Sequence, residues 1–141
     1  MRIRSVSDEE IVLLHQQIPE LFPMESAGEI KRRTQGKNVL ALAAQREQQD
    51  AGYALGYWVT PRHFYYWLGG VKPAFRRQGI GAFLLKALEQ RVMAQGGSEI
   101  SVKSMNRYPA MLILLIRHGY QITAVTGDDA ERQKIHFMKR F

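Results

Sequence analysis

No cysteine occurs among the 141 residues, which excludes disulfides, thiolate metal sites and a cysteine nucleophile, and fits a reducing cytoplasm. No segment is long and apolar enough to span a bilayer. The opening Met1-Arg2-Ile3-Arg4-Ser5 leads into an acidic stretch and not into an apolar core, so no signal peptide is expected and the protein is placed in the cytoplasm. Acidic residues are scarce: 13 Asp and Glu stand against 20 Lys and Arg, a formal charge of +7. That excess favours an anionic partner, such as a phosphorylated cofactor or RNA, without choosing between them. His15, His63, His118 and His136 are scattered with no metal spacing or triad order, so they are read as structural or exposed, and no metal is expected. Repeats and low-complexity segments are absent, and 45% hydrophobic residues over this length suit one domain spanning residues 1–141.

What is present centres on Arg76-Arg77-Gln78-Gly79-Ile80-Gly81-Ala82. The stretch joins a strand-like run ending near Val71 to an amphipathic pattern in which Ile80, Phe83, Leu84, Ala87, Leu88 and Val92 recur at helical spacing. A helix therefore starts inside the glycine loop. Its first N–H groups lack intrahelical partners and carry the positive end of the dipole, so a pyrophosphate can accept from them while Arg76 and Arg77 add charge. The alternative is a glycine turn flanked by two solvated arginines. A dinucleotide fold needs a third glycine and a downstream acid, and a P-loop needs Gly-Lys-Ser/Thr; neither is here.

The chain before this loop predicts a strand at Ile3–Val6, a capping box at Ser7 and Glu10, and a helix burying Ile11, Leu14 and Ile18. Pro19 and Pro23 stop that helix, and a second runs from about Glu25 to Thr34. Val39–Ala44, Tyr53–Thr60 and Phe64–Val71 read as three strands of an antiparallel meander, with a turn across Gln45–Asp50 and Gly52. Gly69-Gly70 implies a bulge or a close approach to the backbone by another group. After the loop and its helix, Gly96-Gly97 is a stop and Ser98–Ser104 a strand with Ile100 and Val102 on one face. Ala110–His118 is apolar nearly all round, predicting a buried helix capped by Gly119, and Tyr120–Thr126 and Lys134–Met138 close the chain as two strands. The fold class is α+β, or mixed α/β, with one sheet and about four helices.

In this order the segments resemble the GNAT superfamily of acyl-CoA-dependent N-acyltransferases over essentially the whole chain. Arg76, Gly79 and Gly81 stand in the family's Arg/Gln-x-x-Gly-x-Gly/Ala loop, and Asn106 followed by an apolar helix ending in His118-Gly119-Tyr120 is similar to its asparagine-to-Gly-Phe segment. The resemblance implies a mostly antiparallel sheet splayed at its middle, with acetyl-CoA as co-substrate and an amine as acceptor. It assigns Val71, Arg76, Arg77, Gln78, Gly79, Ile80, Gly81, Ala82 and Asn106 to acetyl-CoA, with a backbone N–H near Val71 polarising the thioester carbonyl. It places the acceptor near Leu21-Phe22-Pro23-Met24. The acceptor is a small-molecule or protein amine; an RNA-borne amine such as aminoacyl-tRNA, or a domain that binds acyl-CoA with little activity, is the alternative. A homodimer through strand edges is common in such a family.

Deprotonating a lysine-like amine of pKa about 10.4 costs roughly 4–5 kcal/mol at neutral pH. Glu25 and Glu29 are the candidate bases, alongside relay through water. Many family members place a tyrosine acid four residues before the Gly-Phe pair, and Leu115 stands there instead. Tyr108 is the nearest phenol and the first substitute, with Ser104 or a bound water as rivals. Among the aromatics Tyr53, Tyr57, Trp58, Tyr65, Tyr66 and Trp67, half are expected in the core and half can line the acceptor pocket.

Overall fold

The computed structural model describes residues 1–19, 21 and 27–141. In chain order these form β1 (Arg2–Ser5), α1 (Asp8–Gln16), α2 (Ala27–Thr34), β2 (Val39–Arg46), β3 (Gln49–Trp58) and β4 (His63–Val71). A 3₁₀ turn at Pro73–Phe75 leads to α3 (Ile80–Ala94), β5 (Glu99–Met105), α4 (Pro109–Arg117), β6 (Gln121–Thr126) and β7 (Lys134–Arg140). The order of helices and strands is the one the sequence predicts. None of the helices among the described residues is long and apolar enough to cross a membrane.

The strands form one mixed sheet in the order β1-β2-β3-β4-β5-β7-β6. Neighbours pair antiparallel except β4 and β5, which are parallel because α3 carries the chain back across the sheet between them. Strand alternation gives the sheet two apolar faces. On one, Phe64, Ile100, Val102 and Phe137 meet Leu84, Leu85 and Leu88 of α3. On the other, Tyr53 and Leu55 meet Ile11 and Leu14 of α1 and Ile30 of α2, with Ile18 just beyond α1. Truncating any one of these fully buried leucines to alanine costs about 2–5 kcal/mol.

Two local expectations change and a third, left open between two alternatives, is resolved. The β2–β3 turn needs only Glu47 and Gln48, both at positive φ (53° and 67°), so Gln45, Arg46, Gln49 and Asp50 join the ladder and β3 starts earlier than Tyr53. This is the left-handed two-residue geometry that suits a twisted hairpin, achieved here without glycine or asparagine. Second, α4 is not buried: Leu115 is fully enclosed, but Ile113 and Ile116 are about half exposed (51% and 56%). The helix lies against the β5 side of the sheet, so one stripe finds partners and the rest of its apolar surface does not. Third, the bulge in β4 falls at Trp67, where pairing steps from Gly56↔Tyr66 to Leu55↔Leu68. The glycine pair serves the close approach instead: a Cβ at Gly70 would lie 2.8 Å from Ile18 Cδ1, and one at Gly69 would collide with the Tyr66 hydroxyl.

That bulge positions everything that follows. β4 and β5 pair only from His63↔Glu99 to Tyr66↔Val102. From Trp67 onward β4 stays with β3, while β5 stays with β7 along its whole length. An extra residue bends its strand and increases its twist, so the two central strands part at the bulge and the sheet is splayed at its middle, as expected.

Candidate active site

The gap between the parting strands opens into a cavity of about 830 Å³. Val71, Gly79, Ile80, Gly81 and Ala82 line one end, and His15, Tyr65, Trp67 and Lys103 line the other. Lys72 donates its N–H to Ala51 on β3, and in an antiparallel ladder successive residues face opposite edges. The N–H of Val71 is therefore directed into the gap, and the Val71 carbonyl on the same edge accepts from Arg76 Nε at 3.3 Å.

At the α3 end, Gly79 caps the helix in the left-handed region (φ 78°, ψ 13°), and no side chain caps the first turn. A Cβ at Gly79 would meet nothing within 4 Å, so glycine is required there by its backbone angle and leaves open space in front of the helix. Gly81 differs: its Cβ would only touch Leu114 Cδ2 at 3.4 Å. Arg77 also holds a positive φ of 62°, a conformation that costs a non-glycine residue roughly 1–2 kcal/mol. The first-turn amides of α3 face this space with the positive end of the dipole behind them, which suits an anion.

The other sequence-predicted residues divide. Arg76, Arg77, Ile80, Ala82 and Tyr108 line the cavity with the residues above; Gln78 is exposed and does not. Asn106 donates from Nδ2 to the Ala130 carbonyl at 2.9 Å, tying two loops together, while its neighbours Met105 and Arg107 line the cavity. Tyr108 is the half-buried N-cap of α4, with the Arg107 guanidinium 5.1 Å from its ring centre. Ser104 is buried at the cavity wall. Leu115 packs in the core with α3 and does not reach the cavity. Glu29 is exposed on α2 and pairs with Arg32 at 2.9 Å. Phe22 and Glu25 lie outside the described residues.

Arg33, Lys103, Arg107 and Lys134 line the cavity without having been singled out in the sequence as site residues, and so does one histidine. His15, read with the other histidines as structural or exposed, is buried yet lines the cavity, its Nδ1 2.5 Å from Tyr53 Oη. Burial lowers its pKa, holding the imidazole neutral. The available signal is its position between Ile11 and Ile18 on the apolar stripe of α1, where an ordinary surface histidine does not belong. Tyr65 is also buried at the wall, and desolvation pushes its hydroxyl up to about 12, so it is a donor and not a base at neutral pH. The remaining histidines are held elsewhere: His63 by Ser101, His118 by the Leu114 carbonyl, His136 by Thr126. Among the described residues no group of three or more His, Cys, Asp or Glu can hold a metal ion.

No curated protein matches this sequence. Solved structures match its fold. The ribosomal-protein-S18-alanine N-acetyltransferase from Escherichia coli superposes with a TM-score of 0.84 at 17% identity, over 99% of this chain and 92% of that one. An aminoglycoside 6'-N-acetyltransferase complexed with coenzyme A gives 0.78 at 17% identity, over 99% and 97%. The PaiA N-acetyltransferase from Thermoplasma acidophilum, also in complex with coenzyme A, gives 0.78 at 15%, over 99% and 98%. The sequence model of the acetyltransferase (GNAT) family matches residues 9–120, most of the chain, and the protein belongs to that family.

Proposed function

We propose that the protein transfers an acetyl group from acetyl-CoA to a primary amine by direct attack on the thioester. The observation that carries this reading is the edge of β4 from Trp67 to Val71, which no described strand pairs and which runs through one continuous cavity to the open first turn of α3. That edge offers the pantetheine amides a strand to pair with. The first-turn amides from Ile80 to Ala82, with Arg76 and Arg77, hold the diphosphate, and the open space at Gly79 admits it. Two of the fold's solved relatives are complexes with coenzyme A, which supports the same ligand here.

Acetyl-CoA supplies an activated carbonyl and a thiol leaving group of pKa about 8.5. The chain's own groups do the rest. The Val71 N–H, preorganised and needing no particular side chain, meets the carbonyl oxygen as negative charge develops on it. His15 accepts the amine proton, directly or through one water: in the tautomer that donates from Nδ1 to Tyr53 Oη, Nε2 keeps its lone pair. The amine nitrogen bonds to the carbonyl carbon, the C–S bond breaks, and the departing sulfur takes a proton from Tyr108 or from water. His15 is thus proposed for the role for which Glu25 and Glu29 were the candidates.

Calorimetric titration with acetyl-CoA, followed by a thiol-release assay across a panel of amines, tests the proposal. Tight binding with amine-dependent release is the expected result. Binding without release from any amine would favour an acyl-CoA-binding module, for which buried Leu115 in place of the usual tyrosine is the argument. Absence of binding overturns the reading.

A further inference from the structure

The cavity's charge is one-sided. Arg33, Arg76, Arg77, Lys103, Arg107 and Lys134 line it, and among the described lining residues there is no aspartate or glutamate. Two of these cations, Arg76 and Arg77, belong to the diphosphate end. Lys103 and Lys134 lie on the opposite face of the sheet: along β5 and β7 they alternate with Val102 and Ile135, which pack toward α3. In the β5–β7 ladder Lys103 stands opposite His136, two residues from Lys134, so the two lysines are diagonal neighbours on one face. Neither has an ion-pair partner among the described residues. His136 between them registers the field, its pKa lowered first by burial and then by Lys103 and Lys134.

Aromatic walls flank these charges. Lys103 Nζ stands 5.5 Å from the Tyr65 ring centre, Tyr57 packs edge-on against Tyr65 and Trp67, and the Arg33 guanidinium lies 4.9 Å from the Trp67 ring centre. A polycationic amine finds no described carboxylate in this cavity to pair with. An amine bearing an anion finds two ammonium groups beside flat apolar walls.

Building on the acetyl-transfer reading, we infer that the acceptor is an amino-acid-like amine carrying its own carboxylate, held by Lys103 and Lys134 with its carbon chain between Tyr65 and Trp67. The ammonium groups bind the carboxylate as charge-assisted donors and leave the amine free to face the thioester. Because both lysines are exposed, the preference weakens as salt screens them.

The test compares glycine, glutamate and phenylalanine with their amides, alongside spermidine, phosphoethanolamine and an aminoacyl-tRNA, at saturating acetyl-CoA. Acids are expected to exceed their amides by about tenfold in kcat/KM, with the gap narrowing at high salt. Lys103→Gln narrows it and Lys103→Arg keeps it. Calorimetric titration of the CoA-loaded protein with each acid and amide gives the same ranking without turnover. A preference for phosphoethanolamine overturns the carboxylate in favour of phosphate, and acetylation confined to aminoacyl-tRNA overturns it in favour of a nucleic-acid acceptor. Preference for spermidine, or no preference for acids over amides, overturns the inference while acetyl-CoA binding leaves the reaction class standing. Failure to bind acetyl-CoA removes both.

Discussion

At its α3 end the cavity presents backbone: the Val71 amide, the first-turn amides of α3 and the left-handed Gly79. At its α1 end it presents side chains from four separate elements, His15 on α1, Tyr65 and Trp67 on β4, Lys103 on β5 and Lys134 on β7. Main-chain amides recognise what every acyl-CoA shares, a diphosphate and a carbonyl, and they do so whatever side chains surround them. Side chains recognise what distinguishes one acceptor from another. Changes of backbone conformation should therefore damage the first end and leave acceptor choice intact, whereas side-chain changes at the second should alter rate and choice while acetyl-CoA still binds.

The largest expected effect breaks the backbone end. Gly79→Val places a β-branched residue at φ 78° and projects it into the open space before α3. Acetyl-CoA affinity should fall by about a hundredfold or more, the equivalent of two or three charge-assisted hydrogen bonds. Circular dichroism should show a folded protein, since a Cβ there meets no protein atom within 4 Å. Gly81→Ala is the internal control, because its added methyl only touches Leu114. Equal losses in the two variants would mean that crowding, and not the Gly79 conformation, governs the site.

The same division explains what was legible beforehand. Arg76 to Ala82 is contiguous, and glycine at a forced backbone angle announces itself, so the loop that opens α3 could be read from one short window. Tyr65, Lys103 and Lys134 meet only through strand register, the bulge at Trp67 and the alternation that assigns each side chain a face. No short window carries that information. The loop from Leu21 to Met24, where the acceptor was expected, has Leu21 at the cavity wall and its other residues outside the described ones, and His15 was grouped with histidines that do not line the cavity. The Glu47-Gln48 turn was blurred for a related reason: it takes positive φ without the glycine or asparagine that usually marks it. The exposed side of α4 was misjudged because apolar composition cannot say how much surface the neighbouring strand will cover.

His15→Gln probes the side-chain end. The expected loss is about a hundredfold in kcat with the KM for acetyl-CoA little changed. Burial lowers the folded-state pKa of His15 below the ordinary value near 6.5, so the neutral, proton-accepting form persists to lower pH. Between the two pKa values the unfolded chain binds more protons than the native one, so stability is full above about pH 6.5 and declines as pH falls through that window. His136 shifts in the same direction and adds to the decline. A thermal-denaturation series on acidification should therefore fall more steeply for the wild type than for His15→Gln. Parallel curves would show that His15 is not held neutral by its surroundings.

The smallest effect belongs to Tyr108, which lines the cavity at the start of α4 and sharpens the contrast between its ends. Its phenol has an easy task, because a thiol of pKa about 8.5 already leaves well near neutral pH. We expect Tyr108→Phe to lower kcat about three- to tenfold near pH 7, short of the hundredfold usual for an essential general acid. The deficit should shrink above about pH 8.5, where the thiolate needs no proton. Acetyl-CoA affinity should hold, since the amides proposed to bind it lie on α3 and β4. Ser104→Ala is the companion measurement, as the Ser104 hydroxyl is buried at the cavity wall. If the Tyr108→Phe profile overlays the wild type at every pH and that of Ser104→Ala does not, the proton comes from β5. If neither changes, bulk water completes the reaction, and the proposed roles reduce to the Val71 amide at one end and His15 at the other.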